Sequence, residues 1–369
     1  MKVQISNGMF MGLIINMIYA KAIGLTQGSI SREVGSDMWI STFFAVLQGV
    51  LIMVITILVI KRMPDRDMIQ QSEAMLGKIF SKFIGLIVFV FFLLAYSIAM
   101  ITFVYHLKDF FLPEAPTILF IIAAGVVGSF GISYGLEVMA RMALLGIFSI
   151  LFLNILILLG SLANFDIREL LPTFQAGLPK ILWASRHHNG DWALATMMTA
   201  IILPHVKEQK KWTSAGISGS VYSGMFVIMW PILETGVLTA EVAGQYIVSC
   251  MQMARSANIG LFLHRYEMIM VAFYALSSLT QVMMTSFCAS IAMQRMVGGK
   301  DYRKMIFPVS LVLSGFAYYI VSDHMRALNF LEINWLTLAL PIGILLPITI
   351  WLLGFIFKKK LKGQAENLS

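Results

Sequence analysis

Ile14-Ile15-Asn16-Met17-Ile18-Tyr19-Ala20-Lys21-Ala22-Ile23-Gly24-Leu25-Thr26-Gln27-Gly28 is the stretch on which the reading of this chain turns. It starts as an apolar helix and then meets a lysine, two glycines, a threonine and a glutamine. A lysine inside a membrane-spanning helix costs about 2.5–3.5 kcal/mol on insertion scales unless it faces water or a partner. The first span, residues 5–25, is therefore expected to be interrupted near Lys21. A second interruption is expected at residues 192–204, a short segment that ends at Pro204-His205. Its middle, Ala195-Thr196-Met197-Met198-Thr199-Ala200, is small and polar.

The composition around these stretches places the chain in a bilayer. Of 369 residues, 59% are apolar and 12% are charged, where soluble proteins carry about 25% charge. So few charges cannot cover a water-facing surface. That excludes an ordinary soluble enzyme, a disordered chain and a nucleic-acid-binding domain. A span needs about 20 mostly apolar residues. Ten such blocks are present, at 5–25, 38–60, 83–105, 117–133, 142–163, 192–204, 215–238, 266–290, 305–322 and 333–357. No loop is long enough for a separate domain, so residues 1–369 form a single membrane domain, with spans one to five at 5–163 and six to ten at 192–357.

Basic residues test the order of these blocks. With the N-terminus in the cytoplasm, the inner loops hold eighteen of the 27 Lys+Arg, the outer loops hold eight, and Lys21 is the remaining one. Positive charge gathers on the cytoplasmic side, so both termini are expected there, which also accounts for the net charge of +8. Lys2 precedes the first block without a small-residue cleavage site, so that block reads as a retained helix.

If ten spans form two halves of five, spans one and six occupy matching positions. Interrupted segments in matching positions point to an inverted-repeat transporter fold, with unwound backbone at mid-membrane where a small ligand can meet it. Two irregular helices in an ordinary bundle are the alternative, because Gly and Pro are common in membrane helices.

The remaining features have simpler readings. Residues 64–77 (PDRDMIQQSEAMLG) read as a short amphipathic cytoplasmic helix along the membrane, and residues 241–256 look similar on the outer side. Glu137 and Arg141 are four apart and form an ion pair by default. Arg265 and Glu267 read as interfacial anchors, and Glu234 near the outer end of span seven needs no function. His187-His188 reads as a solvated loop pair, without a carboxylate or thiol at ligand spacing. Cys250 and Cys288 show neither disulfide nor metal spacing, and the 26 methionines read as filler. No nucleophile elbow, zinc-binding helix motif, P-loop or paired intramembrane carboxylate occurs, so no enzyme, cofactor or metal is expected.

Several short motifs follow one another in order within this frame. They are Gly35-Ser36-Asp37-Met38-Trp39, Pro64 through Leu76-Gly77, Leu112-Pro113-Glu114-Ala115-Pro116, and Gly135-Leu136-Glu137-Val138-Met139-Ala140-Arg141. Leu171-Pro172 with Gly177, and Phe262-Leu263-His264-Arg265-Tyr266-Glu267, complete the series. In this order and spacing the chain resembles the B subunits of bacterial spore germinant receptors, within the amino acid–polyamine–organocation permease superfamily. The resemblance implies an all-α polytopic protein of ten transmembrane helices, with a leucine-transporter-like 5+5 inverted repeat. It implies residence in the spore inner membrane and assembly with an A subunit and a C lipoprotein subunit. It also implies a role in sensing a small nutrient, often an amino acid. The sequence departs from the family at the break: Lys21 and Ile23 stand where members carry Gly-x-Gly, Gly28 stands at their proline, and Met197 lies where some carry an acidic residue.

Three functions compete: a nutrient-sensing receptor subunit, a secondary transporter of amino acids or organic cations, and a permease-like scaffold that binds nothing. For a ligand site the expectation is Lys21, Ile23 and Gly24 of span one, Tyr96 of span three, and Thr196 and Thr199 of span six. Lys21 has two readings. Its charge meets a ligand carboxylate, or it snorkels to the outer interface and only ends the helix.

Overall fold

The structure, a computed structural model, describes residues 4–259, 263–264, 266–358 and 361. Almost all of them are helical. Helix α1 (Asn7–Lys21) starts where the Ser6 hydroxyl accepts from the Met9 amide at 3.2 Å, which satisfies one of the free amides at a helix start. It runs without interruption through a π-helical turn (Ala22–Thr26) into α2 (Gln27–Val34). Gly35, at a positive φ of 57°, and a short 3-10 turn then lead into α3 (Met38–Lys61).

On the side where α3 ends, Asp67 and Gln70 form a capping box that starts α4 (Met68–Leu76). Gly77, at φ 88°, ends α4 and opens α5 (Lys78–Lys108). Pro116 precedes α6 (Thr117–Ser133), and Gly135 separates it from α7 (Leu136–Ser161). The following loop carries short 3-10 turns and α8 (Leu178–Ala184) before α9 (Arg186–Ile202). Helix α10 (Trp212–Leu238) leads to the short α11 (Ala240–Gln245) and α12 (Ser249–Ser256). Strands β1 (Asn258–Ile259) and β2 (Leu263–His264) pair antiparallel. Helices α13 (Glu267–Val297), α14 (Arg303–Val321) and α15 (His324–Asn329) follow. A second π-helical run (Phe330–Ala339) then leads into α16 (Leu340–Ile356).

Helices α1 and α13 are central. α1 packs on α7, α9, α10 and α13, while α13 packs on α5, α6, α7 and α14. Their polar residues join them: Gln281 Nε2 donates to the Met17 carbonyl at 2.7 Å, and Ser277 Oγ donates to the Asn16 carbonyl at 3.1 Å. Asn16 Nδ2 ties α1 to the Ala143 carbonyl of α7 at 2.8 Å. The outside of the bundle is apolar. Leu51 (64% exposed), Phe148 (70%) and Leu311 (65%) belong to a belt of large exposed hydrophobics on α3, α6, α7, α14 and α16. Water would reject such a surface and lipid accepts it.

Each of the ten expected spans lies on a helix. Among the described residues, seven helical stretches are long and apolar enough to cross a bilayer. That is fewer than ten for a geometric reason. The first stretch is a 55-residue run, Asn7–Lys61, that contains two expected spans. At 1.5 Å per residue it far exceeds a hydrocarbon core of about 30 Å, so one straight crossing cannot use it up. The fourth and sixth expected spans are 17-residue helices, α6 and α9.

The expected interruptions take a different form. Span one does not unwind; it widens by one residue per hydrogen-bonded turn into π geometry. Span six is continuous α-helix through its small polar middle and tightens into a 3-10 turn only at Leu203–His205. It also begins at Arg186, six residues before the expected 192, so His187 and His188 are helical and not in a loop. Arg265, expected as an interfacial anchor, lies outside the described residues.

Candidate functional site

The π turn of the first helix is where buried polar groups converge. A π turn pairs each amide with the carbonyl five residues back and leaves carbonyls near it in need of other donors. Tyr274 Oη of α13 donates to the Ala20 carbonyl at 2.6 Å, and Gln27 Nε2 donates to the Ala22 carbonyl at 3.3 Å. The neighbouring helices therefore complete the backbone that the widened turn releases.

Lys21 ends α1 with its ammonium buried; the residue is 2% exposed. Its Nζ lies 2.5 Å from Asp191 Oδ1 of α9 and 2.9 Å from Thr26 Oγ1. Thr26 Oγ1 also stands 3.1 Å from Asp191 Oδ2. The same Oδ2 takes a second contact, from His188 Nδ1 at 2.7 Å. An ionised carboxylate only accepts, so His188 donates through Nδ1. His188 Nε2, fully buried, has no hydrogen-bond partner. The cluster thus closes α1 against the first turns of α9, with its ammonium and carboxylate both buried.

A second charged cluster stands five residues before Asp191 on α9, at Arg186, and seven residues after Thr26 on α2, at Glu33. Arg186 grips Glu33 of α2 with two bonds, at 2.7 and 2.5 Å, and His187 Nε2 meets the same carboxylate at 2.9 Å. His187 and His188 are therefore buried and carboxylate-bound, which corrects their reading as a solvated pair. Each lies on a different face of α9, one toward Glu33 and one toward Asp191.

On the other side of the π turn, His106 of α5 stacks on Tyr274 with ring centroids 4.3 Å apart. His106 Nδ1 bonds the Thr102 carbonyl at 2.7 Å, and Cys250 Sγ of α12 stands 3.7 Å from Nε2. Gly24 makes this approach possible. A Cβ there would overlap the Tyr274 hydroxyl and lie 2.8 Å from His106 Cε1.

The expected site residues separate into three places. Lys21, Ile23 and Gly24 share the π turn and are buried. Thr196 Oγ1 bonds the Ala193 carbonyl, and Thr196 borders a cavity of about 250 Å³ with Gln48, Trp192 and Gly343, between α3, α9 and α16. Thr199 bonds the Ala195 carbonyl within α9. Tyr96 faces α6 and α14, where its hydroxyl meets Ser314 Oγ at 3.0 Å and a Cβ on Gly125 would stand 3.6 Å from it. Sequence reasoning missed Asp191, His188, Thr26, His106 and Tyr274. Charge complementarity carries the one usable signal: a lysine in span one requires a carboxylate, and Asp191 stands one residue before the expected edge of span six.

A fold with this geometry has known relatives. The family model for spore germination proteins matches residues 4–326. The chain belongs to the spore germination protein family. The spore germination protein YndE of Bacillus subtilis is 25% identical over 312 residues, covering 82% of this chain and 84% of its own length. Among solved structures, the nucleobase-cation-symport-1 family transporter Mhp1, closed with bromovinylhydantoin bound, superposes with a TM-score of 0.70. It shares 10% identity, and the match covers 95% of this chain and 93% of the transporter. MhsT in complex with L-phenylalanine superposes with a TM-score of 0.69 at 13% identity, over 92% of this chain and 87% of its own. This spore germination family member is therefore a multi-pass membrane protein with the fold of leucine-transporter-like carriers.

Proposed function

We propose that this chain is the integral membrane subunit of a spore germinant receptor, which senses a small nutrient such as an amino acid and triggers germination. In this reading it crosses the spore inner membrane ten times as two inverted five-helix halves, with both termini in the cytoplasm. Its partners are the receptor's A subunit and C lipoprotein subunit. The observation that carries the reading is the match of the spore germination family model to residues 4–326, which takes in nine of the ten expected spans. The nutrient site is proposed at the π turn, around Lys21, Ile23 and Gly24, because buried polar side chains and main-chain carbonyls released from the α-helical ladder meet there. Thr196 and Thr199 lie farther along α9, and Tyr96 faces α6 and α14; they belong to the proposal as candidates away from the π turn.

Deleting the gene tests the sensor reading. Germination with one nutrient set is lost, while vegetative amino-acid uptake is unchanged. The transporter reading has one specific support, the likeness in fold to carriers such as MhsT, solved with L-phenylalanine. Saturable uptake of labelled amino acids into proteoliposomes, with normal germination of the deletion strain, would move the protein to that class.

A further inference from the structure

The cavity between α3, α9 and α16 sets two polar atoms without partners in a mostly apolar wall. It measures about 250 Å³. Trp192 is part of its wall and is 1% exposed, and among the described residues its indole Nε1 has no hydrogen-bond partner. The edge of the ring that carries Nε1 lies at Gly49, another wall residue, where an added Cβ would overlap Cδ1 and Cγ. Asn189 also lines the cavity. Its Nδ2 donates to Gln48 Oε1, while its buried Oδ1 has no partner. Unmet donors and acceptors are costly in an apolar interior. Asn189 and Trp192 stand three apart on α9, so they are neighbours on one helix face. A single hydroxyl group both accepts and donates. Placed between them, its oxygen accepts from the indole and its proton goes to the amide oxygen.

The rest of the cavity selects what carries that hydroxyl. Leu51, Ile52 and Ile344 supply apolar wall, and Leu51, 64% exposed, opens it to the lipid-facing belt. One water would meet the two polar atoms and leave the apolar volume unfilled. An apolar cavity of about 150 Å³ already holds benzene, so this one has room for a chain of several carbons. Depth narrows the choice further. Residues 48–52 lie midway along α3 (Met38–Lys61), with about 15 Å of helix on either side. The hydrocarbon core is about 30 Å thick, so phospholipid headgroups stay away from this level, and their tails carry no donor or acceptor. We propose that the cavity binds a free, uncharged aliphatic alcohol of medium chain length, taken up from the bilayer. Its hydroxyl bridges Trp192 and Asn189, and its chain lies against Leu51, Ile52 and Ile344. The inference needs only the membrane fold and stands apart from the receptor reading, because binding is measured and germination is not.

The test is photolabelling of the full-length chain in phosphatidylcholine vesicles, with an octanol analogue that carries a diazirine on its chain. Adducts are located by mass spectrometry of peptides. Saturable label is expected on the wall segments, residues 48–52, 189–196 and 343–344. Excess octanol abolishes it. Octane and monooleoylglycerol, at the same concentration in the membrane, leave it in place, because neither brings a hydroxyl to this depth. Trp192→Phe keeps an aromatic ring and removes the donor, and half-maximal labelling then needs about two- to tenfold more probe, the loss of one hydrogen bond. Octane protecting as well as octanol would overturn the proposal, as would an unchanged half-maximal concentration in Trp192→Phe. Protection by monooleoylglycerol overturns it too and gives the cavity to a glycerolipid. Label that fails to saturate on these segments removes the site altogether. If Trp192→Phe is not recovered, the competition on wild type decides.

Discussion

Gly24 shows how tightly the π turn is packed. Its missing Cβ leaves room for the Tyr274 hydroxyl and the His106 ring edge. Neither ring is free to retreat: Tyr274 is tied to the Ala20 carbonyl and stacked on His106, which is tied to Thr102. Overfilling a packed interior costs about 1–3 kcal/mol, and Gly24→Ala is expected to lose stability in that range by thermal unfolding. The Tyr274 hydroxyl is the atom most crowded, so Tyr274→Phe should offset part of the loss. The double variant is expected to be less destabilised than the sum of the two single variants. Additive losses would mean that Gly24 is required for another contact.

At the scale of elements, α4 is the short helix expected within residues 64–77, and its apolar side is taken up by the protein. Its buried side, Met68, Ile69, Gln71, Ser72, Ala74 and Met75, packs on the protein, chiefly on α5. Gln71 Nε2 donates to the Ile60, Met63 and Arg66 carbonyls at 3.1–3.2 Å, where the chain leaves α3. The Ile60 and Met63 carbonyls also accept the turn amides of Met63 and Arg66, so Gln71 fills a second acceptor position on each. Arg295 at the end of α13 fastens the same N-terminal end of α4 by bonding the buried carboxylate of its N-cap, Asp67, at 3.0 and 2.9 Å. Burial pushes the Asp67 carboxyl above its usual range even with Arg295 beside it. Arg295→Ala strips the guanidinium from a buried carboxylate. The expected loss is about 1–3 kcal/mol of stability, together with faster amide exchange across residues 68–76. Unchanged exchange in that helix would show that Gln71 and the apolar face hold α4 without the ion pair.

The whole molecule is described by which side of the membrane each loop occupies. The proposed ten-span topology puts the loop around residues 164–190 outside. Gln175 is exposed in that loop, and the native cysteines, Cys250 and Cys288, are fully buried. A Gln175→Cys chain is therefore expected to react with a membrane-impermeant thiol reagent in intact protoplasts, over a low background from the two native thiols. Reaction only after permeabilisation would invert the loop and remove the ten-span topology. The wide belt of exposed apolar side chains does not choose between the two orientations, since lipid contacts it equally in both.

The apolar blocks alone located the helices, because the length of a lipid-crossing segment is set by the bilayer and can be counted along the chain. The pair Glu137 and Arg141 was legible for a similar reason: residues four apart on one helix meet whatever the helix packs on, and they bond at 2.6 Å. The site was legible only in part. Lys21 declared the place, because an ammonium in an apolar span must be answered, but its answer lies 170 residues away at Asp191. Likewise the burial of His187 and His188, and the choice of a π turn over an unwound break, depend on which faces of α1, α9 and α13 meet. A charge in lipid announces its need for a partner locally, whereas the partner is selected by packing between segments that no sequence spacing relates.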